Sequence, residues 1–241
     1  MSCSVMDKEL ADYILLKMQS DYDRIADDFS ATRAFPWTEM KDLVEEYVQA
    51  GDRILDAGCG NGRLVQLLQG KKVFYEGIDG SPRLIEIARK KYGDHFAVKN
   101  LTDLSDYPDN SFSLVFCIAT FQHIPGEEYR KQVLANFKKV LLAGGLLIMI
   151  NWNILNQAKF VPYLKKSGKL LSGLDKGDIL YPGRSQKSEI INRYYHGFSP
   201  EELEDLLGQV DFKLVEQYYT KRGEKASAKD GYNLVTIADR N

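Results

Sequence analysis

The sequence predicts an α/β fold: a seven-stranded, mostly parallel sheet with helices on both faces and a substrate-side insertion before the last elements. Three observations lead there. Apolar runs of strand length recur between residues 53 and 152, as RILDAG, VFYEGIDG, HFAVKN, SFSLVFCIAT and GGLLIMINW. Segments of helical spacing, LVQLL, PRLIEIARKKY and EYRKQVLANFKKVL, separate most of them. Strand alternating with helix implies a parallel sheet covered on both faces.

Ahead of the strands, residues 7–28 and 36–50 carry apolar positions at helical spacing (Leu10, Ile14 and Leu15; Met40, Leu43, Val44 and Tyr47) and predict N-terminal helices. After Trp152 the texture loosens. Residues up to about 198 are polar, lysine-containing and interrupted by Gly168, Gly173, Gly177, Pro182 and Gly183, which reads as an insertion, part helix and part loop. Ser199 then suits an N-cap, Pro200 the first helical position and Glu202 a capping box. FKLVEQYYTK and YNLVTIADR, joined by the polar connector RGEKASAKDG, predict a closing strand pair with an antiparallel edge. One domain over 1–241 follows: N-terminal helices (1–50), core (51–152), insertion (153–198), and a final helix with the strand pair (199–241).

A formal charge of -2 gives no whole-molecule attraction to nucleic acid or to an anionic membrane, so any such binding needs a local patch. Cys3, Cys59 and Cys117 form no CxxC pair, which argues against a zinc site or a disulfide framework; no metal is expected. The acidic N-terminal stretch and the lack of a long apolar run predict a cytoplasmic protein without a membrane span.

ILDAGCGNGRL, residues 54–64, is the chemical centre of the sequence. A dinucleotide loop needs GxGxxG, but the third glycine comes early, at Gly62, and Arg63 stands in its place. What remains is a strand ending near Asp56, a turn whose glycines allow close backbone approach, and a helix starting near Asn61. This can take a ligand with a carboxylate, an ammonium and a ribose. The second strand ends in Asp79, seventeen residues after Gly62, where a carboxylate can accept from both ribose hydroxyls.

Together with GIDGSPRLIEIA and VKNLTDLSDYPDNSFSLVFCIATFQHI, this stretch resembles the class I S-adenosylmethionine-dependent methyltransferases over roughly residues 50–152. The resemblance implies a Rossmann-like sheet with S-adenosylmethionine across the carboxyl ends of its first strands. By motif, Asp56, Gly58 and Gly60 would line the methionine part, Asp79 would hold the ribose, and Asn100 with Leu101 would meet the adenine. Tyr22, Asn61, Gly80 and Ile118 complete the implied cofactor set. Position 100 is usually Asp in that family; an Asn oxygen can still accept from the adenine amino group.

Two flanking segments, YDRIADDFSATRAFPW (22–37) and NRYYHGFSPEELEDLL (192–207), with the late GYNLVTIADR, resemble the tRNA methyltransferases that esterify 5-carboxymethyluridine at the wobble position. That resemblance implies tRNA as partner, no DNA, and help from a small zinc-binding activator subunit. It departs at Gly183, where the family often carries a tryptophan. A carboxylate acceptor is already ionised at neutral pH and needs a cation to place it and a dry pocket, not a strong base. Arg33, His123, Arg193, Tyr195 and His196 are the candidates for the acceptor side, with Tyr194 a further stacking candidate; Phe35 and Trp37 read as core. The lysines of YLKKSGKLL could follow a phosphate backbone or simply be solvated. A nicotinamide dehydrogenase, a methyltransferase for a small metabolite and a non-catalytic binding module are the competing readings.

Overall fold

The computed structural model describes residues 6–184 and 190–241; Cys3 lies outside them. In chain order the helices are α1 (Lys8–Arg24), α2 (Ala26–Thr32), α3 (Thr38–Tyr47), α4 (Pro82–Tyr92), α5 (Glu127–Val140), α6 (Val161–Leu170) and α7 (Pro200–Gln209). The strands are β1 (Arg53–Ala57), β2 (Phe74–Asp79), β3 (Phe96–Val98), β4 (Phe112–Ile118), β5 (Leu141–Trp152), β6 (Asp178–Arg184), β7 (Ile190–His196), β8 (Phe212–Lys221), β9 (Glu224–Ala226) and β10 (Asn233–Arg240). Short 3-10 turns cover Arg63–Leu68 and Phe121–His123.

The main sheet runs β3-β2-β1-β4-β5-β10-β8-β9. Pairing is parallel from β3 to β5 and antiparallel from β5 through β10 to β8 and β9, as the closing strand pair requires. The eighth strand is the short β9, which turns part of the polar connector back onto β8. One apolar layer packs α5 and α7 on one face through Val133, Leu134, Phe137, Leu203 and Leu207. The other packs α3, α4 and the 63–68 turn through Leu43, Val44, Ile85, Ala88 and Leu64. This two-sided burial explains why β4 is apolar at nearly every position.

The insertion differs from the expected mixture of helix and loop. After α6 it forms an antiparallel two-stranded sheet, β6 with β7, in which Tyr181 opposes Arg193 and Ile179 opposes Tyr195. Its period of two separates neighbouring residues: Arg193 and Tyr195 face one way, Tyr194 and His196 the other. LVQLL, expected as an α-helix, is the 3-10 turn instead. Ser199 does cap α7, accepting from Glu202 N at 3.2 Å. Glu202 does not reach back to complete a capping box; its carboxylate goes to His196 Nε2 at 2.7 Å. No described helix is long and apolar enough to cross a membrane.

Candidate functional site

A cavity of about 170 Å³ opens at the carboxyl ends of β1, β2 and β4, roofed by α1 and by the chain from α2 into α3. Tyr22, Arg33, Asp56, Gly58, Gly60, Asn61, Asp79, Gly80, Asn100, Leu101, Ile118 and His123 all line it, which brings together residues separated by a hundred positions.

The floor is the glycine turn. Gly58 has φ +82, and a Cβ there would lie 2.2 Å from Thr120 Cγ2, so only glycine fits both the backbone and the neighbour. Thr120 in turn donates to Gly58 O at 3.1 Å. The Asp79 carboxylate is fixed by Gly60 N at 3.0 Å and Ser81 N at 2.9 Å, and burial pushes its pKa up. Asn100 Oδ1 accepts from Thr102 N at 3.1 Å, while the Leu101 carbonyl is held by Asn136 Nδ2 at 2.9 Å.

Asp56 is buried and accepts from Tyr75 at 2.8 Å. Burial pushes it up to about 7, against the Tyr75 hydrogen bond and the charge of Arg63. Arg63 is itself buried, its guanidinium carbon 4.4 Å from the Trp37 ring centre, and one terminal nitrogen, Nη1, has no partner. Burial, with a contribution from Arg33, lowers it to about 10. A carboxyl group and a guanidinium thus sit close together at the inner end, with one guanidinium nitrogen left without a hydrogen-bond partner. Arg63 was visible in the sequence only as the residue replacing a glycine. Trp37, expected in the core, is half-buried beneath it, and Phe35 is 79% exposed rather than core.

At the other end lies a cationic and aromatic cluster. Tyr22 packs edge-on against Phe29 and His123, and Arg33 lies 4.3 Å from the Phe29 ring centre. Asn61 Nδ2 donates to the Arg33 carbonyl at 3.1 Å, tying this segment to the glycine turn. The Arg193 guanidinium carbon is 5.8 Å from both the Tyr22 and Tyr195 ring centres, and Arg193 Nε and the Tyr195 hydroxyl are buried without a partner. These two residues back the cavity wall and do not line it. Burial raises Tyr22, opposed by the charges of Arg193 and Arg33, and burial lowers His123 to about 3. Trp152, stacked on Tyr195 at 5.1 Å between ring centres, closes the wall.

His196 is not part of this cluster, contrary to the expectation from the sequence. Its Nδ1 lies 2.6 Å from Asp178 and its Nε2 2.7 Å from Glu202, on the opposite face of β7. Tyr194 donates to the same Asp178 at 2.7 Å and accepts from Arg130 at 3.0 Å. Both residues pin the β6–β7 hairpin to α5 and α7.

A family model described as a methyltransferase domain matches residues 55–149. Among solved structures the chain is similar to an S-adenosylmethionine-dependent methyltransferase of Methanosarcina mazei (TM-score 0.69, 22% identity, 82% of this chain and 96% of that one). Residues 55–149 thus carry a methyltransferase domain, and the fold is that of S-adenosylmethionine-dependent methyltransferases. A chain in the Haloferax volcanii complex of the Trm112 methyltransferase activator is also similar in fold (TM-score 0.66, 17% identity, 91% and 97% covered). Two curated relatives are named tRNA (carboxymethyluridine(34)-5-O)-methyltransferase. That of Schizosaccharomyces pombe is 26% identical over 83% of this chain and 90% of its own length; that of Arabidopsis thaliana is 33% identical over 54% of this chain. This chain spans 31% of the Arabidopsis protein's length.

The residues of the methyltransferase cavity fit the cofactor. Arg63, with its orphaned buried nitrogen, would take the carboxylate, Asp56 the ammonium, and Asp79 the ribose diol, with the adenine beside Asn100 and Leu101. When bound, S-adenosylmethionine supplies an electrophilic methyl group on a sulfonium centre. The chain's own part is to hold an acceptor in line with that centre and to exclude water. With both of its ring nitrogens engaged and its basicity suppressed, His123 is suited to positioning rather than to proton abstraction.

Proposed function

We propose that this methyltransferase forms a methyl ester on an RNA-borne carboxylate, that of 5-carboxymethyluridine at the wobble position of tRNA. One observation carries the reading: Arg33 and Arg193 flank Tyr22 and His123, and among the described residues neither guanidinium pairs with a carboxylate. Two unpaired guanidinium groups beside the cavity suit a bidentate acid ligand. The suppressed basicity of His123 fits as well. A hydroxyl or amine acceptor has to lose a proton, whereas a carboxylate arrives ionised. The names of the fission-yeast and plant relatives support the same reading.

On this reading the protein works in the cytoplasm on tRNA, and a small activator subunit of the Trm112 kind assists, as in the Haloferax complex that shares the fold. Methyl-labelled S-adenosylmethionine is incubated with tRNA from cells unable to make the ester, and the product is treated with mild alkali. Esters release methanol under these conditions, whereas methyl groups on base nitrogen, carbon or ribose oxygen stay. Released label supports the assignment. Label that persists through alkali would overturn it, and so would no transfer to tRNA with the activator present, which leaves a small metabolite as acceptor.

A further inference from the structure

The chain as a whole is slightly acidic, yet its positive charge is unevenly spread. Residues 159–176, KFVPYLKKSGKLLSGLDK, contain Lys159, Lys165, Lys166, Lys169 and Lys176 with Asp175 as their one acidic residue. Asp175 is turned inward, where it accepts from Met6 N at 2.9 Å and pairs with Arg130 at 3.5 Å. All five lysines are exposed, and none forms an ion pair with a described residue. Elsewhere lysines are commonly neutralised, as Lys17 is by Asp21, Lys99 by Asp106, Lys131 by Glu128 and Lys225 by Glu216.

The fold fixes where this charge points. Ser167 is fully buried on the inner side of α6; its hydroxyl accepts from Leu180 N at 2.8 Å and donates to Tyr163 O at 2.8 Å, bolting the helix to β6. Tyr163 packs edge-on to Tyr181 at 4.9 Å, and Leu164 joins the same apolar cluster. Lys165, Lys166 and Lys169 are left on the outer side. β6 is paired to β7 with Tyr181 opposite Arg193, so the helix is mechanically continuous with the acceptor-side cations. Lys159 completes the path: its ammonium lies 4.6 Å from the Phe160 ring centre and 5.9 Å from that of Trp152, which lines the cavity.

We propose that the outer face of α6, with Lys159 and Lys176 at its flanks, is the surface along which the phosphate backbone of the substrate RNA lies, leading the target nucleotide to the Arg33 and Arg193 end of the cavity. The proposal rests on the RNA acceptor reading and extends it. It answers the objection raised by the overall charge, because phosphate contacts need local cations rather than a basic protein. A membrane surface is the weaker fit, since an interfacial helix has to insert its apolar face and α6 has Tyr163 and Leu164 packed inward.

The test uses the full chain with its activator and a tRNA transcript, comparing wild type with the triple variant Lys165→Gln, Lys166→Gln, Lys169→Gln across a salt series. Lys71→Gln with Lys72→Gln, also exposed but on the loop before β2, is the control. Losing three phosphate contacts should weaken binding about 10- to 100-fold at low salt and flatten the log–log salt slope by about 2. Calorimetric binding of S-adenosylhomocysteine should be unchanged. An unaltered affinity and slope in the triple variant, with wild type binding well, overturns the proposal and leaves the acceptor reading standing. A wild type that binds no tRNA sinks both. Lysine-dependent binding to phosphatidylserine vesicles, with RNA binding unaffected, would reassign the face to a membrane.

Discussion

The Tyr22 hydroxyl lies 3.0 Å from His123 Nε2, while Nδ1 of the same ring lies 3.0 Å from the Tyr194 carbonyl oxygen. A carbonyl only accepts, so Nδ1 carries the proton and Nε2 accepts from Tyr22. The imidazole is neutral, and burial keeps it so by lowering its pKa to about 3. At saturating cofactor, the pH profile of kcat/KM for the acceptor should therefore show no limb near 6.5. His123→Asn should lower kcat/KM about 10- to 100-fold through loss of positioning, without reshaping that profile. A limb near 6.5 that disappears in the variant would make His123 a titrating base.

Arg33 and Arg193 reach the same cluster from opposite ends of the chain. If they share the acceptor carboxylate, replacing either by alanine removes a charge-assisted contact in a partly buried site, with an expected loss of about 10²- to 10³-fold in kcat/KM. Cofactor affinity by calorimetry should stay within about threefold, and the lysine variants should recover only part of the activity, lacking the planar fork. Cofactor binding that collapses together with turnover in Arg33→Ala would move Arg33 to the cofactor's side of the cavity.

Much of this arrangement was legible in the chain because short segments carried it. The glycine turn, Asp79 at a strand end and the Ser199 cap are local patterns, and each sits where its residue types require. The insertion was not legible, since the β6–β7 hairpin is held by distant partners, Ser167 on Leu180 and Arg130 on Tyr194, which leave no periodic trace. The same holds for His196. RYYH reads as one functional string, yet strand pleating sends Arg193 and Tyr195 to the cavity side and Tyr194 and His196 to the Asp178 side. Phe35 escaped too, because an apolar residue in a tight loop has no periodicity by which to judge its exposure.

Arg63 is assigned to the cofactor carboxylate on the strength of one unpartnered buried nitrogen, and ligand truncation isolates that contact. Arg63→Gln should weaken S-adenosylhomocysteine binding by about 10- to 100-fold, the worth of a charge-assisted hydrogen bond. Binding of 5′-methylthioadenosine, which has no carboxylate, should be nearly equal in variant and wild type. Equal losses for both ligands would mean that the substitution had merely loosened the pocket around Trp37.

With the cofactor ammonium placed on Asp56, cofactor binding should depend on pH. Its pKa rises from 3.8 to about 7 because burial disfavours the carboxylate. In the free protein this raised value means that the protonated side chain contributes stability at acid pH, present in full below about 4 and lost as pH rises through about 7; three units correspond to about 4 kcal/mol. A cationic ligand reverses the preference, since an ammonium favours the ionised form. Affinity for S-adenosylhomocysteine should accordingly fall about tenfold per unit as pH drops below about 7, while the melting temperature of the free protein changes in the opposite sense. Asp56→Asn should flatten both dependences and bind the cofactor weakly at every pH. A calorimetric titration from pH 5.5 to 8 with constant affinity in the wild type would show that Asp56 is not the ammonium's partner.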